Sequence, residues 1–148
     1  MPEDLISRLK DKFHILNIEE QNRCIVIEAK ELKKICLFLK EDLSFSYLMN
    51  LAAIDYKDKF ALVYIFYSFK SKERVCLKVF LGRDNPCVES IADIFRAADW
   101  HEREAYDLMG IKFNAHPDLR RILLPDDWQG HPLRKDYEKA GMIRIPQV

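Results

Sequence analysis

The run from Phe60 to Phe69 is ten residues long and broken only by Ser68. A strand with one wet face would alternate, but Phe60-Ala61-Leu62-Val63-Tyr64-Ile65-Phe66 is apolar on both parities. It therefore predicts a central strand covered on both faces. The run falls well short of the about 20 residues that a membrane-spanning helix requires, so nothing in the chain reads as a span. Its flanks constrain its neighbours. Tyr56-Lys57-Asp58 and Lys70-Ser71-Lys72 are short polar connectors. Strands over Leu48 to Asp55, Lys59 to Phe69 and Glu73 to Leu81 should therefore pair antiparallel. In the last of them Val75, Leu77, Val79 and Leu81 alternate with Arg74, Cys76 and Lys78, the pattern of a half-buried strand.

Helical spacing frames these strands. Leu5, Ile6, Leu9 and Phe13 form one stripe, with Glu3 and Asp4 at its favourable end. A strand pair over His14 to Glu19 and Arg23 to Ala29 follows, turning at Glu20-Gln21-Asn22. Leu32, Ile35, Cys36 and Leu39 form a second stripe, backed by Lys33, Lys34 and Lys40 on the wet side. After the break at Gly82 to Pro86, a helix over Val88 to Ala97 would turn Ile91, Ile94 and Phe95 inward. Asp99 offers an N-cap, with Glu102 as its capping-box partner, for a helix over Trp100 to Met109 that stops at Gly110. The order is α-β-β-α-β-β-β-α-α, an α+β two-layer sandwich occupying residues 1–110.

Residues 111–148 differ in character. They hold four of the six prolines and two of the four glycines, and beyond Ile122-Leu123-Leu124 they show almost no aliphatic period. Lys112, Arg120, Arg121, Arg134, Lys135, Lys139 and Arg144 outnumber Asp118, Asp126, Asp127, Asp136 and Glu138 by two. Trp128, Tyr137, Ile143 and Ile145 are too many large apolar groups for a solubilising tail, so the segment reads as an extended arm that lies along another protein.

Composition excludes several chemistries. The 24 basic residues balance the 24 acidic ones, against a nucleic-acid binder relying on bulk charge. Cys24, Cys36, Cys76 and Cys87 contain no C-x-x-C and read as four small buried hydrophobes in a reducing compartment. The acidic start, Met1-Pro2-Glu3-Asp4, lacks a signal peptide's apolar core, which points to the cytoplasm. His101-Glu102 opens like a zinc motif, but Ala105 stands where the second histidine belongs. Glu102, Glu104 and Asp107 are close enough for acid–base work, yet a charged helix face docked on a partner suits them better. His116-Pro117 and, fifteen residues on, His131-Pro132 pre-extend the backbone. Arg120-Arg121 and Arg134-Lys135 supply fork donors for a partner's carboxylates.

Two blocks carry a resemblance. Glu102-Arg103-Glu104-x-x-Asp107-Leu108-Met109, followed after six residues by His116 and then by Arg120-x-Ile122-Leu123, resembles the signature of the C subunits of respiratory complex I. The block Asp127-Trp128-Gln129-Gly130-His131-Pro132-Leu133-Arg134-Lys135-Asp136-Tyr137 is similar to the one that follows it in that family. The resemblance implies a cofactor-free peripheral-arm subunit of a proton-pumping NADH–quinone oxidoreductase, on the cytoplasmic face of a membrane. It would pack beside the subunits that hold the terminal iron–sulfur cluster and the quinone pocket. The assembly would carry FMN, iron–sulfur clusters and quinone; this chain would carry no catalytic, cofactor or metal residue. Carried over, the partner interface is Glu102, Arg103, Glu104 and Asp107 on the helix. On the arm it is His116, Arg120, Arg121, His131, Arg134, Lys135 and Asp136. Membrane-bound hydrogenases and F420H2- or ferredoxin-dependent complexes contain similar subunits and form the alternative. Two other classes stand beside it: an RNA-binding module using Tyr64 and Phe66 with the tail arginines, and a hydrolase with an open pocket at Glu104.

Overall fold

The structure, a computed structural model, describes residues 3–19, 21 and 23–138. Glu20 and Asn22 of the expected first turn, and Lys139, Ile143, Arg144 and Ile145 of the arm, lie outside the described residues.

The helical stripes and strand runs fold much as their periods require. Helix α1 spans Glu3–Lys12, and β1 (Ile15–Glu19) and β2 (Cys24–Ile27) form an antiparallel hairpin. A 3-10 turn over Ala29–Glu31 leads into α2 (Leu32–Glu41). Strands β3 (Tyr47–Asp55), β4 (Lys59–Ser68) and β5 (Glu73–Gly82) are antiparallel neighbours. The sheet order is β1-β2-β5-β4-β3, so the hairpin joins through a parallel β2–β5 pairing between segments distant in sequence. One sheet face packs Ile25, Ile27, Leu62, Tyr64, Leu77 and Val79 against Leu5 and Leu9 of α1 and Leu32, Ile35 and Leu39 of α2. Burial of such side chains, about 1.5–3 kcal/mol each, is the main force holding the layers together. The α+β sandwich is the expected class.

Four local expectations are corrected. Strand β4 is interior, with Phe60, Leu62, Tyr64 and Phe66 buried on one parity; on the other, Ala61 is buried but Val63, Ile65 and Tyr67 remain half-exposed. This burial of Tyr64 and Phe66 removes them as stacking platforms for RNA bases.

The helix expected over Val88 to Ala97 does not form. Strand β6 (Cys87–Glu89) instead pairs in parallel with β7 (Lys112–Asn114), placing Val88 beside Phe113. Ser90 then diverts the chain: its Oγ accepts the Ala92 N–H at 3.1 Å, a turn that competes with helix. Ile91, Ile94 and Phe95 are buried all the same, in successive turns closed by Ile91 and Phe95 carbonyls.

Helix α3 starts at Ala98 and runs to Met109, with Ala97 at the N-cap and no side-chain cap bond. Asp99 therefore sits inside the first turn, where its charge still suits the helix dipole, and Glu102 is free for another role. Finally, Cys24 and Cys76 are joined in a disulfide across β2 and β5, leaving only Cys36 and Cys87 as free thiols. The spacing of two cysteines 52 residues apart carries no sign of a non-local parallel pairing.

Tyr64 has no exposed surface, and among the described residues its hydroxyl has no hydrogen-bond partner. Removing an unsatisfied buried hydroxyl relieves its desolvation cost. Tyr64→Phe should therefore leave the thermal midpoint unchanged or raise stability by about 1 kcal/mol. A clear fall in midpoint would show that the hydroxyl is bonded in solution.

Candidate functional site

The last turn of α3 organises the residues that follow it. Gly110 ends the helix in the left-handed region at φ 70°, its N–H bonded to the Tyr106 carbonyl at 2.8 Å. A Cβ there would fall 2.5 Å from the His131 ring and 2.7 Å from the Arg134 guanidinium. Glycine thus both stops the helix and lets the arm close over its end. The carbonyls left orphaned by that ending are taken up in order. His131 Nδ1 donates to the Asp107 carbonyl at 2.9 Å, which fixes the proton on that nitrogen. The Leu133 N–H reaches the Leu108 carbonyl at 3.1 Å, and Arg134 Nε the Met109 carbonyl at 2.6 Å.

Asp107 holds the other side of the arm. Its side chain is fully buried, and Oδ2 accepts three consecutive backbone N–H groups, from Ile122, Leu123 and Leu124, at 3.0, 2.8 and 2.9 Å. Arg121 closes on Oδ1 at 2.7 Å and extends its other nitrogen to the carbonyls of Trp128 and Gly130. Burial works to raise the Asp107 carboxyl, but the Leu124 N–H, Arg121 and the other two amides win and hold it below the usual carboxylate range. Arg103 adds bonds to the carbonyls of Arg120 and Arg121 at 3.2 and 3.0 Å.

A second clamp lies at the end of β3. Asp55 receives a bidentate fork from Arg83 at 2.7 and 3.2 Å and the Lys135 N–H at 2.8 Å. Arg83 also pairs with Asp136 at 2.7 Å, and both Arg83 and Arg134 lie over the Phe60 ring. Burial opposes ionisation of Asp55, yet Arg83 and the backbone amides of Lys135 and Lys57 bring its carboxyl down to about 2. Sequence reasoning missed Asp55 and Arg83; the available signal was an acidic residue closing an otherwise apolar strand.

Glu102 faces inward. It has no exposed surface, and it accepts the Ser90 hydroxyl at 2.6 Å and the Ile91 N–H at 2.9 Å. It therefore ties α3 to the β6 turn, a task that Ser90 shares and that the sequence did not reveal. Burial pushes its carboxyl up to about 7, against the pull of those two bonds. His116, whose side chain is also fully buried, stands 3.8 Å from it. The Asp118 N–H bonds to His116 Nδ1, so the ring proton sits on Nε2, which donates to the Asp99 carbonyl at 3.2 Å.

Of the expected interface residues, then, Glu102 and Asp107 are wholly engaged within the chain. Neither has exposed surface; donors offset the burial of Asp107, whereas burial outweighs the two bonds that Glu102 accepts. Arg103, His116, Arg121, His131 and Arg134 hold the arm to α3. Glu104, Arg120, Lys135 and Asp136 are exposed. Through residue 138 the arm lies against its own domain.

Outside this clamped region lies an apolar groove of about 610 Å³, lined by Ala97, Trp100, Ile122 and Leu123 and rimmed by Arg96, His101 and Glu104. Trp100 is 70% and Leu123 62% exposed. A second hollow, sharing His101 and Glu104, continues to Leu108 and Leu133. The carboxyl with raised proton affinity, Glu102, is sealed inside and does not open onto either. Among the described residues no three His, Cys, Asp or Glu side chains gather as a metal-binding group, and no helix is long and apolar enough to cross a membrane.

Residues 25–142 match the family described as respiratory-chain NADH dehydrogenase, 30 kDa subunit. The chain belongs to that family. It is 43% identical to the C subunit of the NADH-quinone oxidoreductase of Geobacter sulfurreducens, over 95% of this chain and 92% of that protein. It is 49% identical to the corresponding C subunit of Chloroherpeton thalassium, over 76% of this chain and half of that one. Among solved structures, the trypsin-resistant fragment of Nqo5 superposes with a TM-score of 0.67 at 26% identity, covering 79% of this chain and 98% of the fragment. A chain of an archaeal membrane-bound sulfane sulfur reductase shares the fold, with a TM-score of 0.77 at 20% identity over 93% of this chain and 86% of that one. Both signature blocks lie within the span matched by the family, and both are the clamped elements just described.

Two measurements follow from the clamps. Asp107→Asn removes the buried anion and strands Arg121, so it should cost about 3–5 kcal/mol in urea unfolding. Amide exchange at Ile122 to Leu124 should accelerate in the variant; unchanged protection there would show that the carboxylate does not hold the arm. Glu102 acts with the opposite sign to Asp107. Its folded carboxyl binds a proton that the unfolded one releases between pH 4.5 and about 7, so stability falls as pH rises through that window. By linkage the loss is about 3 kcal/mol, complete above the folded value. Glu102→Gln should flatten this part of the stability profile, measured by urea unfolding at pH 5, 6, 7 and 8.

Proposed function

We propose that this chain serves as the cofactor-free C subunit of a proton-pumping, complex I-type NADH–quinone oxidoreductase. It would sit on the cytoplasmic face of the membrane assembly, docked against the subunits that hold the terminal iron–sulfur cluster and the quinone pocket. Membership of the family, and relatives named as C subunits of an NADH-quinone oxidoreductase, support this reading over a hydrogenase-type assembly.

The observation that carries it is the groove around Trp100 and Leu123. Contiguous exposed apolar surface on a soluble domain marks a site of association, and a tryptophan at its centre is a typical anchor. The clamps beneath serve this surface indirectly. Asp107 and Arg121 set the backbone of Ile122 to Leu124, which fixes where Leu123 projects. Glu104 lines the groove, and Arg120, Lys135 and Asp136 add exposed charges elsewhere on the arm, suited to register and partner choice. The domain over residues 1–110 is the rigid base and residues 111–148 are the arm that meets the neighbours.

The test is recovery of partners by the affinity-tagged chain from gently solubilised membranes of the cells that make it. The wild-type chain should bring down flavin- and iron–sulfur-containing subunits. Trp100→Ala and Leu123→Ala should each weaken association by about 2 kcal/mol, roughly thirty-fold, with the melting temperature of the isolated chain unchanged. Full recovery by the double variant would refute docking through this groove. A wild-type chain that emerges alone would refute the subunit role.

A further inference from the structure

Cys24 and Cys76 stand directly opposite each other in the parallel β2–β5 register, Cα atoms 4.6 Å apart. Their neighbours Ile25, Ile27, Leu77 and Val79 point the other way, into the core. The strand pairing therefore rests on the apolar inner face, and the sulfur bridge lies on the opposite one. It borders an open groove of about 480 Å³, whose wall includes Gln21, Arg23, Val63, Ile65 and Arg74. Cys24 is 5% exposed, whereas Cys76 is half-buried, so Cys76 is the more open half of the bridge to a reagent arriving from solvent. Arg23 and Arg74 bring positive charge to this groove, which attracts an anionic thiol and favours a departing thiolate. The remaining thiols do not compete at this site: Cys36 is buried, with burial pushing its thiol up, and Cys87 lies on β6.

We propose that Cys24–Cys76 is an exchangeable cystine, a site for thiol–disulfide exchange with a small anionic thiol of the glutathione kind. The incoming thiolate attacks Cys76 Sγ, a mixed disulfide forms, and Cys24 leaves as a thiolate that takes a proton from water. A second thiolate attacks the reagent sulfur of the mixed disulfide, releasing the reagent as its own disulfide and Cys76 as a thiolate. Two electrons thereby pass to the chain. The consequence lies in the β1–β2 hairpin. Among the described residues β1 pairs with β2 alone, and β2 joins the rest of the sheet through four register pairs with β5. Opening the bridge leaves that edge held by strand pairing, inner-face packing and the Glu19–Lys78 ion pair at 2.8 Å, so its attachment loosens with the redox state around it.

The experiment equilibrates the native full chain with reduced and oxidised glutathione at set ratios, then alkylates it and locates the adducts by mass spectrometry. Adducts at Cys24 and Cys76 should appear together as the ratio turns reducing, with the circular dichroism spectrum retained. Amide exchange of β1 and β2 should accelerate on the order of tenfold while that of β4 stays fixed. Exposed to oxidised glutathione, Cys24→Ser should acquire one glutathione at Cys76, and Cys76→Ser should acquire none at Cys24. A bridge that opens only in denaturant, or whose opening abolishes the native spectrum, would overturn the proposal in favour of a sealed structural crosslink. So would a native chain in which both thiols stay free under oxidising conditions. The wild-type titration decides the matter even where a serine variant fails to fold.

Discussion

The carboxylate of Asp107 occupies a place where a negative charge is hard to hold. It has no exposed surface, and it lies in the last turn of α3, where the helix carbonyls already concentrate negative potential. Only a dense set of donors makes such an anion tolerable. The residues after Gly110 supply it, with three successive backbone N–H groups on one oxygen and the Arg121 guanidinium on the other. A shorter or neutral side chain could not converge that many donors, because only an ionised carboxylate accepts at every lone pair.

The same contacts solve a second problem. A helix that ends abruptly exposes carbonyls, and a proline-rich segment has few ways of its own to bond. In this chain the two deficits match. His131, Leu133 and Arg134 donate to the carbonyls of Asp107, Leu108 and Met109, so a segment without regular secondary structure is ordered by a helix that needs a cap. The Asp55–Arg83–Asp136 cluster fastens the far end to the sheet. Through residue 138 the segment is thereby bonded to its own domain along its inner side.

How much of this is legible in the sequence varies with the distance over which each feature acts. Local signals are clear: the β3–β4–β5 meander follows from short connectors and apolar runs, and the Gly110 stop from its position after Met109. The segment Val88 to Ala97 misleads because Ile91, Ile94 and Phe95 are spaced for a helix and for consecutive turns alike, and Ser90 decides between them through a hydroxyl bond. The parallel β2–β5 pairing and the Cys24–Cys76 bridge stay hidden because nothing local specifies which distant strand becomes a neighbour. The carboxylates of α3 stand out in the sequence, but the direction in which they point does not. A wet helix face and a buried clamp share one composition, and only the donors that approach from Ser90, Arg121 and the Ile122 to Leu124 amides distinguish them.

That distinction alters how association would be controlled. Glu102 and Asp107 have no exposed surface, and with Arg121 they set geometry through bonds within the chain. What remains outside is an apolar centre of Trp100 and Leu123, with Glu104, Arg120, Lys135 and Asp136 among the exposed charges beyond it. An anchor of this kind gains little from flexibility and much from being held in place beforehand, because each side chain or loop already ordered in the free chain is one that binding need not order. Trp100 stands on a helix, and Leu123 on a loop whose amides are fixed by a buried acid. Under the proposed docking, the helix cap would present this surface, and the internal stability of the arm and the readiness of that surface would be the same physical quantity.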